Sequence, residues 1–284
     1  MKITSDWHIH SNYSCDAASL EMADLVAEAA DTGIDTYGIT DHLHTPYNLP
    51  DVQASRKEYE KFSEVGGFHF GIEVSCVSQW ELDRIANGEA DNPVYGIRKG
   101  GPSGAAPALG IDQTGLADLG VEFVVAGTHW PLYVALDSSA LIRDYHRQNM
   151  FLAEHPLVDV VAHPWWWMGH WMDADQVYRG DPWIGNFGVI PKSMHNEFAA
   201  AVVEFDTLVE INLSAMLLTT HYPDRFKTDY LGYLVSLKDL GVKFSIGSDC
   251  HNEHYTEIDF TTAQSILDSV GITEEDLGPM PPRR

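Results

Sequence analysis

Seven short runs of β-branched and aromatic residues recur along the chain, at 3–9, 36–41, 68–74, 122–128, 158–163, 207–212 and 243–248. Each has the length and composition of a buried strand, and most end on a residue able to ligate a metal. Between them, apolar positions fall at helical spacing over 20–30, 55–65, 138–154, 194–205 and 230–240, the first stretch being closed by Gly33. This alternation predicts an α/β chain with a parallel sheet. No G-x-G-x-x-G turn follows the first strand, which favours a closed barrel over a dinucleotide-binding sheet. In a barrel, function collects at the carboxyl ends of the strands. Two stretches break the rhythm, a Gly- and Pro-rich one at 87–114 and a Trp-rich one at 164–191, and both are expected as long loops over the barrel mouth. Candidate ligands occur before, between and after them, so the reading is one domain over 1–277, with 278–284 a loose tail.

Composition narrows the class. The chain has 284 residues, 44% of them hydrophobic, enough for a sizeable core. Seventeen Lys and Arg against 42 Asp and Glu give a net charge of −25, which disfavours a nucleic-acid partner and leaves a nuclease without a basic track. No long apolar run or signal-peptide pattern occurs, so no membrane partner and a soluble cytoplasmic protein are expected. Three unclustered cysteines, Cys15, Cys76 and Cys250, argue against disulfides and thiolate zinc. Fourteen histidines are the informative excess.

Where these histidines fall suggests their chemistry. His8-Ile9-His10 closes the first run, and period-two geometry points both imidazoles to one side. Asp16 follows in a polar loop able to turn back over the same mouth. The second run delivers Thr40-Asp41-His42, with Asp41 either orienting an imidazole or capping a turn. The third places Glu73 in a stretch too apolar to leave a carboxylate unpaired, while His69, earlier in that strand, reads as structural. The fourth and fifth end on His129 and His163, and the seventh ends Ser248-Asp249-Cys250-His251. A lone histidine of this kind is most often a satisfied core residue; six strands doing the same thing point to a metal centre. Nine candidate ligands (His8, His10, Asp16, His42, Glu73, His129, His163, Asp249 and His251) exceed the three or so of a single catalytic zinc. Two or three divalent ions are therefore expected, with Glu73 bridging. Imidazole with carboxylate suits zinc, iron or manganese.

The ordered set of HxH, Thr40-Asp41-His42, Gly71-Ile72-Glu73, Gly127-Thr128-His129, Ala162-His163-Pro164 and Ser248-Asp249-Cys250-His251 resembles the PHP (polymerase and histidinol phosphatase) family of metal-dependent hydrolases, over most of the chain. The resemblance implies a distorted (β/α)7 TIM-like barrel with a trinuclear centre. It assigns His8, His10, Glu73 and Asp249 to a first ion, Glu73, His129 and His163 to a second, and Asp16, His42 and His251 to a third. Some relatives carry His at the position of Asp16.

A cationic metal pocket in an acidic protein suits a small anionic substrate. The expected reaction is hydrolysis of a phosphate monoester, a hydroxide bridging two ions attacking phosphorus. Asp249 and Glu73 are the expected catalytic carboxylates, with His221 and His254 as candidate proton shuttles. Arg143 and Arg147, one helical turn apart, and Arg179 are candidates to hold the phosphate, with Arg98-Lys99 as an alternative. Trp165 heads an aromatic tract expected to wall the organic group, a plug or interface being the other reading. The competing functions are amide or lactone hydrolysis at the same metals and a non-catalytic metal-binding module.

Overall fold

The computed structural model describes residues 1–89, 92–167 and 182–280. Ten strands and eight α-helices follow in the order β1 (Ser5–Ile9), α1 (Met22–Thr32), β2 (Thr36–Ile39), β3 (His42–Leu43), α2 (Leu49–Tyr59), β4 (Phe68–Ser75), β5 (Val77–Ser78), α3 (Gln79–Ala86), β6 (Pro107–Ala108), α4 (Gln113–Leu119), β7 (Phe123–Gly127), α5 (Ser138–Glu154), β8 (Val160–Ala162), α6 (Lys192–Glu204), β9 (Leu208–Asn212), α7 (Asp224–Asp239), β10 (Phe244–Gly247) and α8 (Phe260–Ser269). Seven of the strands pair in parallel in the order β1-β2-β4-β7-β8-β9-β10, and these are the seven runs read from the sequence. The ring is nearly closed. Its ends meet where Asp249 N–H donates to His8 O at 2.7 Å and His10 N–H to Cys250 O at 3.0 Å. The fold is a distorted (β/α)7 barrel.

Strand alternation sorts the core into an outer and an inner part. Ile72, Val124, Val161, Val209, Ile211 and Ile246 face the helices, whereas Trp7, Phe123, Val125, Val160, Ala162 and Leu208 form a separate apolar cluster inside the ring. The Phe123 ring fills the interior where neighbouring strands have no side chain: a Cβ on Gly38 or Gly71 would lie 2.3 or 2.5 Å from its Cζ. The segment after Leu277 is not loose as far as it is described. Gly278 N–H donates to Phe244 O at 2.8 Å and Met280 packs on the inner cluster, because the amino-terminal end of the ring would otherwise expose that apolar layer.

The helices differ from the periodicity reading in ways that have local causes. The first turn of α7 is Asp224-Arg225-Phe226-Lys227, too charged to show its apolar stripe, although Phe226 is fully buried. The short helices α3, α4 and α8 escaped the pattern; each starts at a side-chain cap, Ser78, Asp112 and Asp259 respectively. The stretch 87–114 is not wholly loop, since β6 pairs antiparallel with β5. Of the Trp-rich stretch, Trp165, Trp167 and Trp183 are buried together. Among the described residues no helix is long and apolar enough to cross a membrane.

Candidate metal centre

All nine expected ligands meet at the carboxyl ends of the barrel strands. His8 and His10 leave β1 on the inner side while Ile9 joins the outer core. The Glu73 carboxylate occupies the centre: Oε1 lies 3.0 Å from His163 Nε2 and 3.1 Å from His129 Nε2, and Oε2 lies 2.8 Å from His42 Nδ1, 3.2 Å from His8 Nε2 and 3.4 Å from His10 Nε2. Asp249 Oδ1 stands 3.3 Å from His10 Nε2 and 3.6 Å from His8 Nε2. Asp16 Oδ2 is 2.7 Å from His251 Nε2 and 3.2 Å from His42 Nε2. Among the described residues three groups of donor atoms lie close enough to share an ion: His8, His10 and Asp249; His42, Glu73 and His129; and His10, Asp16, His42 and His251. The first holds three of the four residues expected there, without Glu73, and the third holds the expected three with His10 in addition. In the second, His42 takes the place expected of His163, which reaches Glu73 from another side.

Close approach of this many side chains requires small neighbours. Gly127, two residues before His129, is one: a Cβ there would lie 2.7 Å from His163 Cε1, 3.1 Å from His129 Cε1 and 3.2 Å from Glu73 Oε1. Gly247, two before Asp249, is another, with Glu210 Oε1 2.0 Å from a built Cβ. Strain gathers here as well. His163 (φ 28°) and Asp249 (φ 55°) are held in the left-handed region, which a non-glycine residue enters only when its surroundings dictate it.

The donor set fits cations better than it fits itself. His251 Nδ1 donates to the Asp249 carbonyl at 3.0 Å, so a neutral ring presents the Nε2 lone pair to the Asp16 carboxylate. Glu210 on β9 accepts from His8 Nδ1 at 2.6 Å, which turns the His8 Nε2 lone pair toward His10 Nε2, only 3.0 Å away. The His8 and His251 lone pairs thus face other acceptors, and among the described residues the buried Asp16 Oδ1 and Glu73 Oε2 have no hydrogen-bond partner. Without cations, protons fill the deficit. Burial pulls the His8 and His42 imidazoles down, but the carboxylates of Glu210, Glu73 and Asp249 around His8, and of Glu73 and Asp16 around His42, outweigh it. His8 is raised well above its usual range and His42 is pushed up to about 10. Burial likewise opposes ionisation of Glu73 and Asp249, yet the surrounding imidazoles hold both well below the carboxylate range. His129 goes the other way, down to about 4, through burial.

Several supporting residues were not read from the sequence. Glu210 takes His8 Nδ1–H, the His163 N–H at 2.6 Å and Asn212 Nδ2 at 3.1 Å. The argument that singled out Glu73, a carboxylate in an apolar strand, applies to it equally. Asn212 also donates to Asp249 Oδ2 at 3.0 Å. Asp6, pushed up to about 6 by burial, accepts from Ser248 N and Tyr255 Oη, both at 2.8 Å. Asp41 orients no imidazole; it receives the Ser11 N–H and hydroxyl, each at 2.6 Å, and so fastens the loop that carries Asp16. His69 is structural, paired with Glu122 at 2.7 Å.

The expected shuttles and substrate contacts fall elsewhere. His254 is exposed and its Nδ1 lies 2.9 Å from Glu28 on α1; His221 is exposed and belongs to none of the three donor groups. Arg143 is exposed on α5 and bonds Ser139, whereas Arg147 is committed to Asp144 and the Ala105 carbonyl, both at 2.6 Å. Their one-turn spacing reflects the helix surface rather than a phosphate fork. Arg179 lies outside the described residues. Trp165 is turned by its positive φ of 70° into a buried contact with Trp183 and His195, and it is Trp166 whose half-buried ring stands 5.4 Å from His163 and 5.9 Å from His129. Arg98 lies 4.0 Å over the ring of Trp130, the neighbour of His129, and is held by the buried Glu81.

The His and carboxylate groups at the barrel mouth form clusters able to hold divalent cations. The PHP domain matches residues 6–149, just over half of the chain, and the protein belongs to that family. A probable phosphatase of Enterobacter sp. (strain 638) is 26% identical over 281 residues, covering 98% of this chain and 91% of the relative. Among solved structures, a Xaa-Pro dipeptidase with bound methionine in the active site covers 95% of this chain and 70% of its own at 12% identity, with a TM-score of 0.43. A chain of archaeal ribonuclease P with mature tRNA covers 98% and 99% at 9% identity, with a TM-score of 0.40. Likenesses as slight as these last two say nothing about this chain's activity.

Proposed function

We propose that this protein is a metal-dependent phosphoesterase that hydrolyses a phosphate monoester of a small metabolite. The observation that carries the reading is the clustering of nine buried or half-buried His, Asp and Glu ligands at the carboxyl ends of the strands, with Glu73 and Asp16 each shared between several imidazoles. Membership of the PHP family and the relationship to a probable phosphatase support it. His8, His10, Glu73 and Asp249 would hold one ion, Glu73, His129 and His163 a second, with His42 alongside, and Asp16, His42 and His251 a third. Bound zinc, manganese or iron would supply Lewis acidity and make water a nucleophile near neutral pH.

The protein's own groups do the rest. Three divalent ions would carry about +6 against −4 from Asp16, Glu73, Glu210 and Asp249, so the pocket attracts a phosphate dianion despite the acidic surface. Asp249 Oδ1, 3.5 Å from His251 Nδ1, takes up the proton of the attacking water. Trp166 walls the side of His129 and His163 and covers the organic group. The test is phosphate release from a panel of aryl and metabolite phosphate monoesters by metal-loaded protein beside Glu73→Ala. Release by the wild type alone is expected. No release from any ester would overturn the proposal and move amide or lactone hydrolysis to first place.

A further inference from the structure

The HxH at the end of β1 has a counterpart in His42-Leu43-His44. Period-two geometry puts His44 on the side of His42, and the two rings lie 4.2 Å apart. The His44 ring also stands 5.4 Å from that of His129, edge-on, with Trp130 at 5.2 Å and Tyr95 at 5.5 Å holding it from the other sides. It joins none of the three donor groups. Instead its Nδ1 lies 2.7 Å from Ser75 Oγ, and the same hydroxyl lies 2.8 Å from His129 Nδ1. All three side chains are buried, and Ser75, two residues beyond Glu73, shares its face of β4.

A hydroxyl has one proton, so between two imidazole nitrogens it donates to one and accepts from the other. His129 Nε2 faces Glu73 Oε1 at 3.1 Å, and a neutral ring that offers this nitrogen to a cation carries its proton on Nδ1. The direction of the whole chain follows: His129 Nδ1–H donates to Ser75 Oγ, Ser75 donates to His44 Nδ1, and His44 keeps its proton on Nε2. Among the described residues that Nε2 is buried without a partner, and the ring's polar contact is with Ser75.

We propose that Ser75 and His44 are positioning residues that hold His129 in its Nδ1–H tautomer and thereby set the affinity of the Glu73, His129 and His163 site for a divalent cation. This rests on the metal-centre reading above. The dyad stands where a carboxylate or carbonyl usually backs a metal-bound histidine, and it does so without adding negative charge beside four carboxylates.

The test compares Ser75→Ala, Ser75→Thr and His44→Phe with the wild type, using Zn2+ and Mn2+ in competition with a chromogenic chelator, ions retained per chain, and unfolding of the metal-free proteins. Ser75→Ala and His44→Phe should weaken one class of bound ion by about 10–100-fold and leave the others in place. Ser75→Thr, which keeps the hydroxyl, should restore affinity to within about threefold, and metal-free Ser75→Ala should remain folded and unfold cooperatively, with the modest loss that an unpaired buried imidazole entails. Wild-type affinity in Ser75→Ala, or loss in Ser75→Thr equal to that in Ser75→Ala, overturns the proposal. A wild type that binds no ion overturns the metal centre itself, and the relay with it.

Discussion

Glu210→Gln isolates the support of one ligand without changing its shape. Both carboxylate oxygens accept: Oε1 from His8 Nδ1–H, and Oε2 from the His163 N–H and from Asn212 Nδ2. Glutamine has one accepting oxygen, so whichever way the amide turns, its NH2 meets a donor. If it meets the His163 N–H, a buried donor–donor contact costs about 1–3 kcal/mol. If it meets His8, the ring escapes by moving its proton to Nε2, the nitrogen that faces Glu73, His10 and Asp249, and ceases to be a ligand. Loss of such a partner lowers metal affinity about 10–100-fold, which is about 1.4–2.7 kcal/mol. Chelator competition on purified Glu210→Gln, with kcat/KM for an aryl phosphate measured at saturating and limiting metal, reads this directly. Activity at limiting metal should fall further than activity at saturating metal. Metal affinity within twofold of the wild type would refute the role of Glu210.

Gly127→Ala places a methyl 2.7 Å from His163 Cε1, so ligand rings must shift by about half an ångström or more, beyond the roughly 0.2 Å tolerance of a metal site; metal content by elemental analysis should fall and unfolding should show about 1–3 kcal/mol lost to overpacking. His195, between Phe187, Tyr233 and Trp165, is pushed down to about 4 by burial and then by His146. Its folded pKa lies below the unfolded 6.5, so the unfolded chain binds more protons, and the stabilisation is complete above 6.5 and lost as pH falls toward 4. With allowance for partial exposure this is about 1–2 kcal/mol, and His195→Phe should flatten the metal-free unfolding profile between pH 4 and 6.5; an unchanged slope would contradict it.

What the sequence made legible follows from which signals are local. The seven strands were readable because each is an apolar run, and His8, His10, Glu73, His129, His163 and Asp249 because they stand at or beside strand ends, where a barrel puts its chemistry. Asp16 lay in a polar loop, and its place six residues after His10 drew it in. Glu210 and His44 carried local signals, a carboxylate in an apolar strand and a second HxH, but their partners did not: Glu210 meets His8 202 positions away, and His44 meets His129 only through Ser75 on a neighbouring strand. Arg143 and Arg147 show the reverse failure, since helical spacing looked the same whether the pair faced substrate or solvent. Trp165 and Trp166 are adjacent, and only the backbone turn at His163 and Trp165 decides which indole stands beside the metal ligands.

The most direct test of the account is reconstitution. Protein stripped by a chelator is titrated with Mn2+ or Zn2+ while phosphate release from a monoester is followed, with Glu73→Ala in parallel. The account requires no release from the stripped protein, recovery that breaks at two to three ions per chain, and none in Glu73→Ala. Release that survives stripping, or that persists without Glu73, would contradict it.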